Sequence, residues 1–468
     1  MYRSDKESRM RGSGWSIIGR LAAALSMALV LGFGSRALAD IGTGPSISDQ
    51  PAATLLLPYF QVNLNDPNAA TTLFSINNAS ATAVLAHVTV WTDLSVHVLD
   101  FDVYLTGYDV YRLNLNSLLI TGITPQTASA GQDPTDTISP KGPLSQDINF
   151  ASCSGILPLP PVPPAQLIDV QNALLGLPVA GSGFGGDCAG LIHPDGVMRG
   201  YITVDTVNRC SFVFPGGNAI LPGVLGPYFG PDGVATNQNV LWGDSFYLNK
   251  RLNRAYAQDL VHILADATNP LTSTPGDYTF YGRYDSTPWN AEDNRQPLST
   301  TFAFRYINAA SGQGGNYFNQ GTTSVAWRDS KVNQGPFACG SLPSWFPLPQ
   351  EGFVVFDEQE QVTRPQQCHF SPCPTTPGQT PWPAETQEIF IGSSTGILQT
   401  VFDSGWIFAD LNHLTPIPPG APGLADPAAG QAWMFQTYTT SGANSWKIGE
   451  RAIQLDSASS ANHSVPGQ

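Results

Sequence analysis

Several clusters in this sequence hold residue types that could do chemistry. Gly186-Asp187-Cys188-Ala189-Gly190 has the outline of a nucleophile elbow with cysteine as the nucleophile, and His193 stands close by as a base. An elbow needs a strand running into a helix, so that the strained turn exposes the attacking atom. Here a glycine-rich loop precedes the cysteine and the turn His193-Pro194-Asp195-Gly196 follows it, so a disulfide is the expected fate of Cys188. Asp357-Glu358-Gln359-Glu360 gathers carboxylates after an apolar strand. A glycosidase needs two carboxyls facing each other across the sugar, whereas neighbours on a strand point to opposite faces. A solvated turn is expected there. His87 could meet Asp100 and Asp102 if their strands are neighbours, which reads as a surface pair rather than a metal site.

Metal and cofactor signals are equally thin. Cys368-His369 with Cys373 supplies three ligands at most, short of the four that a structural zinc takes. The acidic turns Asn65-Asp66-Pro67-Asn68 and Asp133-Pro134-Thr135-Asp136 admit calcium, although neither has the EF-hand spacing. No His-Glu-x-x-His, Walker or zinc-finger pattern occurs, and the Gly-x-Gly patterns near Gly181 precede no helix with an acidic partner. No catalytic, cofactor-binding or metal-ligating set is therefore assigned. Tryptophans such as Trp382 and Trp406 could form a sugar-stacking platform, but strands favour aromatics and most are expected in the core. Asn78-Ala79-Ser80 fits a glycosylation acceptor and fits a turn equally well.

The elements that must position these residues are strands. Val84, Ala86, Val88 and Val90 alternate with Leu85, His87, Thr89 and Trp91, a period of two that predicts a strand with one dry and one mixed face. Leu99, Phe101, Val103 and Leu105 repeat the pattern, with Asp100, Asp102 and Tyr104 turned to the wet side. A third run covers Tyr111 to Leu115, and Thr72 to Ile76 makes an earlier strand stopped by Asn77-Asn78-Ala79-Ser80. Ala53 to Val62 is a first strand in which Pro58, unable to donate to a ladder, marks an edge or bulge. Further strands are predicted at Gly200 to Val207, Val240 to Leu248, Leu260 to Ala265, Tyr278 to Tyr284, Thr301 to Ile307, Thr323 to Trp327, Phe353 to Phe356, Thr386 to Ile391, Trp406 to Leu411, Ala432 to Tyr438 and Ala452 to Leu455.

Between Thr124 and Pro164 the composition shifts to Pro, Ser, Thr, Gly and Asp, an excursion that cannot bury a core. Pro163-Pro164 then opens a helix with Leu167, Val170, Leu174 and Leu175 on one face, ended by Gly176 and Pro178. Landmarks recur in order. Thr71-Thr72 leads to Trp91-Thr92-Asp93 as Thr300-Thr301 leads to Trp327-Arg328-Asp329, and Gly200-Tyr201-Ile202-Thr203-Val204-Asp205 is echoed by Gly405-Trp406-Ile407-Phe408-Ala409-Asp410. The expected fold is all-β: two immunoglobulin-like antiparallel β-sandwich domains, residues 40–270 and 271–456, the first with a Pro/Gly-rich insertion at about 124–198 carrying one short helix. Neither half has the Cys and Trp spacing of antibody domains. Residues 457–468 are small and polar, and a disordered tail is expected.

The compartment follows from the first 39 residues. Arg3, Lys6, Arg9, Arg11 and Arg20 precede the apolar run Leu21 to Phe33, and Ala37-Leu38-Ala39 supplies the small residues of a cleavage site. A signal peptide over residues 1–39 is expected, and no later apolar stretch is long enough to span a membrane. Removing it takes away six basic and two acidic residues and moves the net charge from −15 to −19, which excludes nucleic acid and anionic membrane surfaces as partners. Six cysteines, Cys153, Cys188, Cys210, Cys339, Cys368 and Cys373, lie in the exported part, an even count that implies disulfides. Fifteen pairings are possible and sequence does not choose among them; Cys368 with Cys373, a small loop among prolines, and Cys153 with Cys188, stapling the insertion, are the expected pairs, which leaves Cys210 with Cys339. The expected role is an exported, secreted or periplasmic, non-catalytic structural, adhesive or surface-interaction protein whose partner is a protein or glycan at the cell surface. The alternatives are a carbohydrate-binding protein or glycan-acting hydrolase, and a subunit that polymerises through strand edges.

Overall fold

The computed structural model describes residues 50–124, 143–146, 148, 150–181, 183–216, 227–230, 232–265, 279–282, 293–308, 320–330, 335–343, 346–348, 352–363, 382–391, 402–412, 430–440 and 446–455. The expected signal peptide, the tail, Asp133 to Asp136, Cys368, His369 and Cys373 lie outside these residues.

The described chain is mostly β, in four antiparallel sheets. The N-terminal half contributes β1 (Thr54–Asn63), β2 (Ala70–Asn78), β3 (Val84–Thr92), β4 (His97–Leu105), β5 (Val110–Asn114), β6 (Val197–Val207), β7 (Leu241–Trp242), β8 (Asp244–Asn249), β9 (Arg254–Asp259) and β10 (Val261–Ile263). Sheet A has the order β10-β1-β6-β3-β4, and sheet B has β5-β2-β8-β9, with β7 extending β8 along β2. The C-terminal half contributes β11 (Thr301–Ile307), β12 (Thr322–Arg328), β13 (Gly352–Asp357), β14 (Val362–Thr363), β15 (Thr386–Ile391), β16 (Ser404–Asp410), β17 (Ala432–Thr440), β18 (Trp446–Arg451) and β19 (Ile453–Gln454). Its sheet C runs β14-β13-β16-β11-β19 and its sheet D runs β15-β12-β17-β18. Counted in chain order, with β7 taken as part of β8, sheet C has the strand order of sheet A and sheet D that of sheet B.

Registers and hydrogen bonds agree with this correspondence. Thr54 pairs with Asp205 across β1 and β6, as Thr301 pairs with Asp410 across β11 and β16. The Thr72 hydroxyl accepts from the Gln61 amide and donates to its carbonyl, at 3.1 and 3.2 Å, and Thr322 does the same with Ile307 at 2.8 and 3.1 Å. Tyr247 donates to the Tyr59 carbonyl and Tyr438 to the Arg305 carbonyl. Gly200 and Gly405 occupy corresponding places, and at each a Cβ would collide with a backbone carbonyl of the neighbouring strand, that of Trp91 in β3 or Phe356 in β13. The Thr71/Thr300 and Trp91/Trp327 landmarks, in contrast, fall on strands that do not correspond: Thr72 matches Thr322, and Trp91 matches Phe356.

The sequence between β5 and β6 contains α1 (Leu115–Thr121), which Asn114 caps and Gly122 ends in the left-handed region at φ 69°, and α2 (Pro164–Leu174). Helix α2 begins at the expected proline and buries Val170, Ala173 and Leu174. Pro58 does sit at an irregularity, since the β1–β6 register shifts between Leu57 and Phe60. The described part of the predicted strand Tyr278 to Tyr284, residues 279–282, forms bends and turns instead. Phe280 and Tyr281 there are buried as wedges, Phe280 stacking on Trp327.

Disulfide pairing differs from expectation. Cys153 is bonded to Cys210 and Cys188 to Cys339, each with a Cα–Cα distance of 5.0 Å. Chain folding brings Cys153 under the end of β6, and the Cys188 segment forms a two-way backbone bridge with Phe337. Cys188 therefore ties the N-terminal half to the C-terminal half, a contact that sequence spacing cannot encode.

Two hydrophobic clusters make up most of the core. The larger joins the facing sides of sheets A and B, through residues such as Val88, Ile202, Val204, Phe74 and Ile76, but also includes Val325, Trp327, Trp433 and Phe435 of sheet D. The smaller lies between sheets C and D, around Phe302, Phe304, Ile389, Ile407 and Met434. Consequently the side of β3 and β4 expected to be wet is covered: all of β3 is buried, and Asp102 and Tyr104 are 2% and 4% exposed.

Candidate functional site

Titratable groups converge on the outer face of sheet A. Antiparallel register lines up Asp102, His87, Asp205 and Thr54 in one row across β4, β3, β6 and β1. His87 Nδ1 lies 2.9 Å from Asp102, its Nε2 lies 3.8 Å from Asp100 and has no hydrogen-bond partner, and the ring is fully buried. Burial lowers the His87 pKa, but Asp102, Asp100 and Asp205 together outweigh it and the net shift is upward, favouring imidazolium. The expected meeting of His87 with Asp100 and Asp102 thus occurs, in the interior rather than at the surface.

Asp205 is the centre of the row. It bonds Thr54, accepts from Tyr228 and Tyr281 at 2.7 and 2.8 Å, and faces Arg295 at 3.3 Å. Arg295 also meets Asp293 at 3.4 Å and the Thr236 carbonyl at 3.2 Å, with its guanidinium over the rings of Phe229 and Tyr281. Burial alone would favour neutral Arg295, yet Asp205 and Asp293 hold its pKa above the usual value. Burial raises the Asp293 pKa despite Arg295, and burial with the neighbouring Asp205 pushes both tyrosines up. In this sealed network an ion pair bonds strands of the N-terminal half to the segment leading into the C-terminal half. Sequence reading missed Arg295 because it sits among polar residues with no strand pattern.

The second place where polar groups meet is open. A cleft of about 430 Å³ lies between β4 and α2, lined by His97, Val98, Gln166, Asp169, Val170, Gly181 and Phe184. His97 Nε2 is 2.9 Å from Asp100, and its ring stacks on Phe214 with centroids 3.6 Å apart. The pair could hydrogen-bond a ligand at the edge of the cleft, and the described lining residues include no Ser, Thr or Cys to act as nucleophile.

The other sequence candidates among the described residues are held in structural contacts. Cys188 is oxidised, and His193 pairs with Asp93 at 2.9 Å, whose other oxygen accepts from the Leu191 amide. Asp357 caps its own turn by accepting from the Gln359 and Gln361 amides, while Glu358 pairs with Arg305 and Ser404. Asp66 closes a turn onto the Asn68 amide and pairs with Arg251. Asn78 is 2% exposed, and its amide donates to the Thr82 and Thr106 carbonyls, which closes it to a glycan. Among the described residues no group of three or more His, Cys, Asp or Glu could hold a metal ion, and no helix is long and apolar enough to cross a membrane.

Aromatics divide between core and surface. Trp382 is fully buried between sheets C and D, whereas Trp406 is 41% exposed. The outer face of sheet B carries a row that the sequence analysis did not single out. Trp242, Asp244 and Phe246 follow one another on one side of β7 and β8, with both aromatics 43% exposed and about 13 Å apart along the strand. Asp244 accepts from Ser75 at 2.5 Å and lies directly opposite Asp259, and the neighbouring Asn77 donates to Ser75 while its own carbonyl oxygen is buried and unpartnered. No protein-family model, curated protein or solved structure matches the chain.

Proposed function

We propose that this is an exported, non-catalytic structural or adhesive surface protein made of two β-sandwich domains that arose by internal duplication. The observation that carries the proposal is where the chemistry points. Of the groups that converge, His87 is buried against Asp102, and Asp205, Asp293 and Arg295 are buried in the ion-paired network that joins the N-terminal strands to the segment leading into the C-terminal half, while aromatic side chains stand on open sheet faces. The duplication is supported by matching strand orders and by the Thr72/Thr322 and Tyr247/Tyr438 bonds. Each half is immunoglobulin-like in architecture, two antiparallel sheets packed face to face. Export and cleavage after Ala39 are supported by the leader composition and by disulfides, which suit an oxidising compartment.

A second reading, carbohydrate binding, is favoured by the Trp242, Asp244 and Phe246 row, where ring faces could stack on sugars and Asp244 and Asp259 could accept hydrogen bonds from their hydroxyls. Screening the mature chain, made in an oxidising compartment, against a glycan array and by pull-down with cell-surface material separates the two. A protein partner without glycan dependence supports the first reading. Saturable binding to one glycan class, lost in Trp242→Ala, replaces it with the second, and turnover of a bound glycan overturns both.

A further inference from the structure

We propose that the outer face of sheet C is a self-association surface, taking the same face of a second copy of this chain about a two-fold axis. The alternation of β11, β13 and β16 sends Phe302, Phe304, Ile407 and Val355 into the core and leaves Val354, Phe356, Trp406 and Phe408 on the other side. Phe356 and Phe408 pack edge to face at 5.4 Å, Trp406 is 41% exposed, and Ile453 of the adjoining β19 is 55% exposed. Two oppositely charged side chains border this patch: Arg305 is 55% and Glu358 51% exposed, 3.5 Å apart. An apolar centre with a polar margin is the composition of an interface.

The N-terminal half shows what a face in this position does. Phe356, Trp406 and Phe408 correspond to Trp91, Tyr201 and Thr203 on sheet A, and that face is covered within the chain, with Trp327 of sheet D packed edge-on against Tyr201 at 5.9 Å. A head-to-tail repeat of that packing would lay sheet B of a second copy on sheet C. It is disfavoured, because Glu388, which approaches Tyr59 to 3.4 Å in the internal interface, corresponds to Arg112 in sheet B, and Tyr59 corresponds to Arg305. Two like charges would meet where a carboxylate and a hydroxyl meet now. A two-fold arrangement avoids this, since it sets Arg305 of each copy against Glu358 of the other and buries the two Trp406 rings together. Pairing through the sheet C face is independent of the adhesive or glycan-binding role.

Sedimentation velocity of the mature oxidised chain over roughly 1–100 µM tests it. A reversible dimer is expected, with Trp406→Glu weakening association at least about tenfold while the thermal midpoint of the monomer stays within a few degrees. Arg305→Glu and Glu358→Arg should each weaken the dimer, and the double charge swap should restore it. A monomer throughout the range overturns the proposal. So do species that grow past the dimer, or a dimer unaffected by Trp406→Glu but abolished by Trp242→Glu, because they place the contact elsewhere.

Discussion

Replacing Arg295 by methionine tests whether the buried ion pair fixes the two halves together. The guanidinium faces two carboxylates, Asp205 at 3.3 Å and Asp293 at 3.4 Å, where no solvent reaches. At an effective dielectric of about 20, each contact is worth roughly 5 kcal/mol of attraction, most of it offset by the desolvation of three charged groups. Removing one partner leaves the others buried and uncompensated, so Arg295→Met should destabilise by about 3–5 kcal/mol. The Arg295→Met/Asp205→Asn double variant should recover more than half of that loss, because it removes a charge together with its counter-charge. Linkage adds a signature. Burial already raises the folded pKa of Asp293, and without Arg295 the charge that opposes this rise is gone, so the native state binds more protons and the single variant gains stability as pH falls from 7 towards 5. Urea unfolding followed by tryptophan fluorescence at both pH values reads all of this. A loss under 1 kcal/mol, or a double variant no better than the single, would refute the reasoning.

The remaining expectations concern pH, disulfides and strand contact. The folded pKa of His87 is raised, so its stabilising contribution is complete below about 6.5 and fades as pH rises through the folded value; melting temperatures between pH 6 and 9 should fall for the wild type and flatten in His87→Gln. Sequence separations of 57 and 151 residues give chain-entropy contributions of about 4 kcal/mol for Cys153–Cys210 and about 5 kcal/mol for Cys188–Cys339. Because Cys339 is exposed while Cys153 and Cys210 are buried, mild reductant followed by alkylation and mass spectrometry should label Cys188 and Cys339 first, and earlier labelling of Cys153 would contradict this. Gly200→Ala and Gly405→Ala should each cost about 1–3 kcal/mol, since a Cβ at either place meets a fixed carbonyl; a substitution that leaves the denaturation midpoint unmoved would refute the close approach.

Alternation made the strands legible, and so did proline and glycine. The β1 irregularity at Pro58, the α2 start at Pro164 and the Gly200/Gly405 correspondence all rest on local backbone chemistry. Strands with charged or small outward positions were harder to see: β9 reads Arg-Ala-Tyr-Ala-Gln-Asp and β18 Trp-Lys-Ile-Gly-Glu-Arg, too polar to stand out. Solvation of a face was not legible either, because Thr89, His87 and Asp102 have the composition of a wet side and are dry only because distant residues cover them. The same limit hid Arg295, whose partners are separated from it in sequence by up to 241 residues, and the true disulfide pairs.

The two halves share one strand order but differ in what covers their outer faces, and the difference can be located in a few side chains. At corresponding places in sheets B and D, Ser75, Asn77 and Asp244 stand against Val325, Trp327 and Phe435. The polar set surrounds the open Trp242 row, whereas the apolar set is 0%, 2% and 2% exposed within the larger core. Burying a valine, a tryptophan and a phenylalanine at about 1.5–3 kcal/mol each supplies on the order of 5–9 kcal/mol, enough to hold one sandwich to the next without help from the ion pair. On this reading, Arg295 and Asp205 add little net stability of their own. They select the arrangement, because any other docking would strand a buried charge. Exchanging Val325, Trp327 and Phe435 for Ser, Asn and Asp, in a chain whose Cys188–Cys339 tie is removed by Cys188→Ser and Cys339→Ser, should therefore separate the halves while each keeps its own sheet pairing, a change that small-angle scattering would register as an elongated particle.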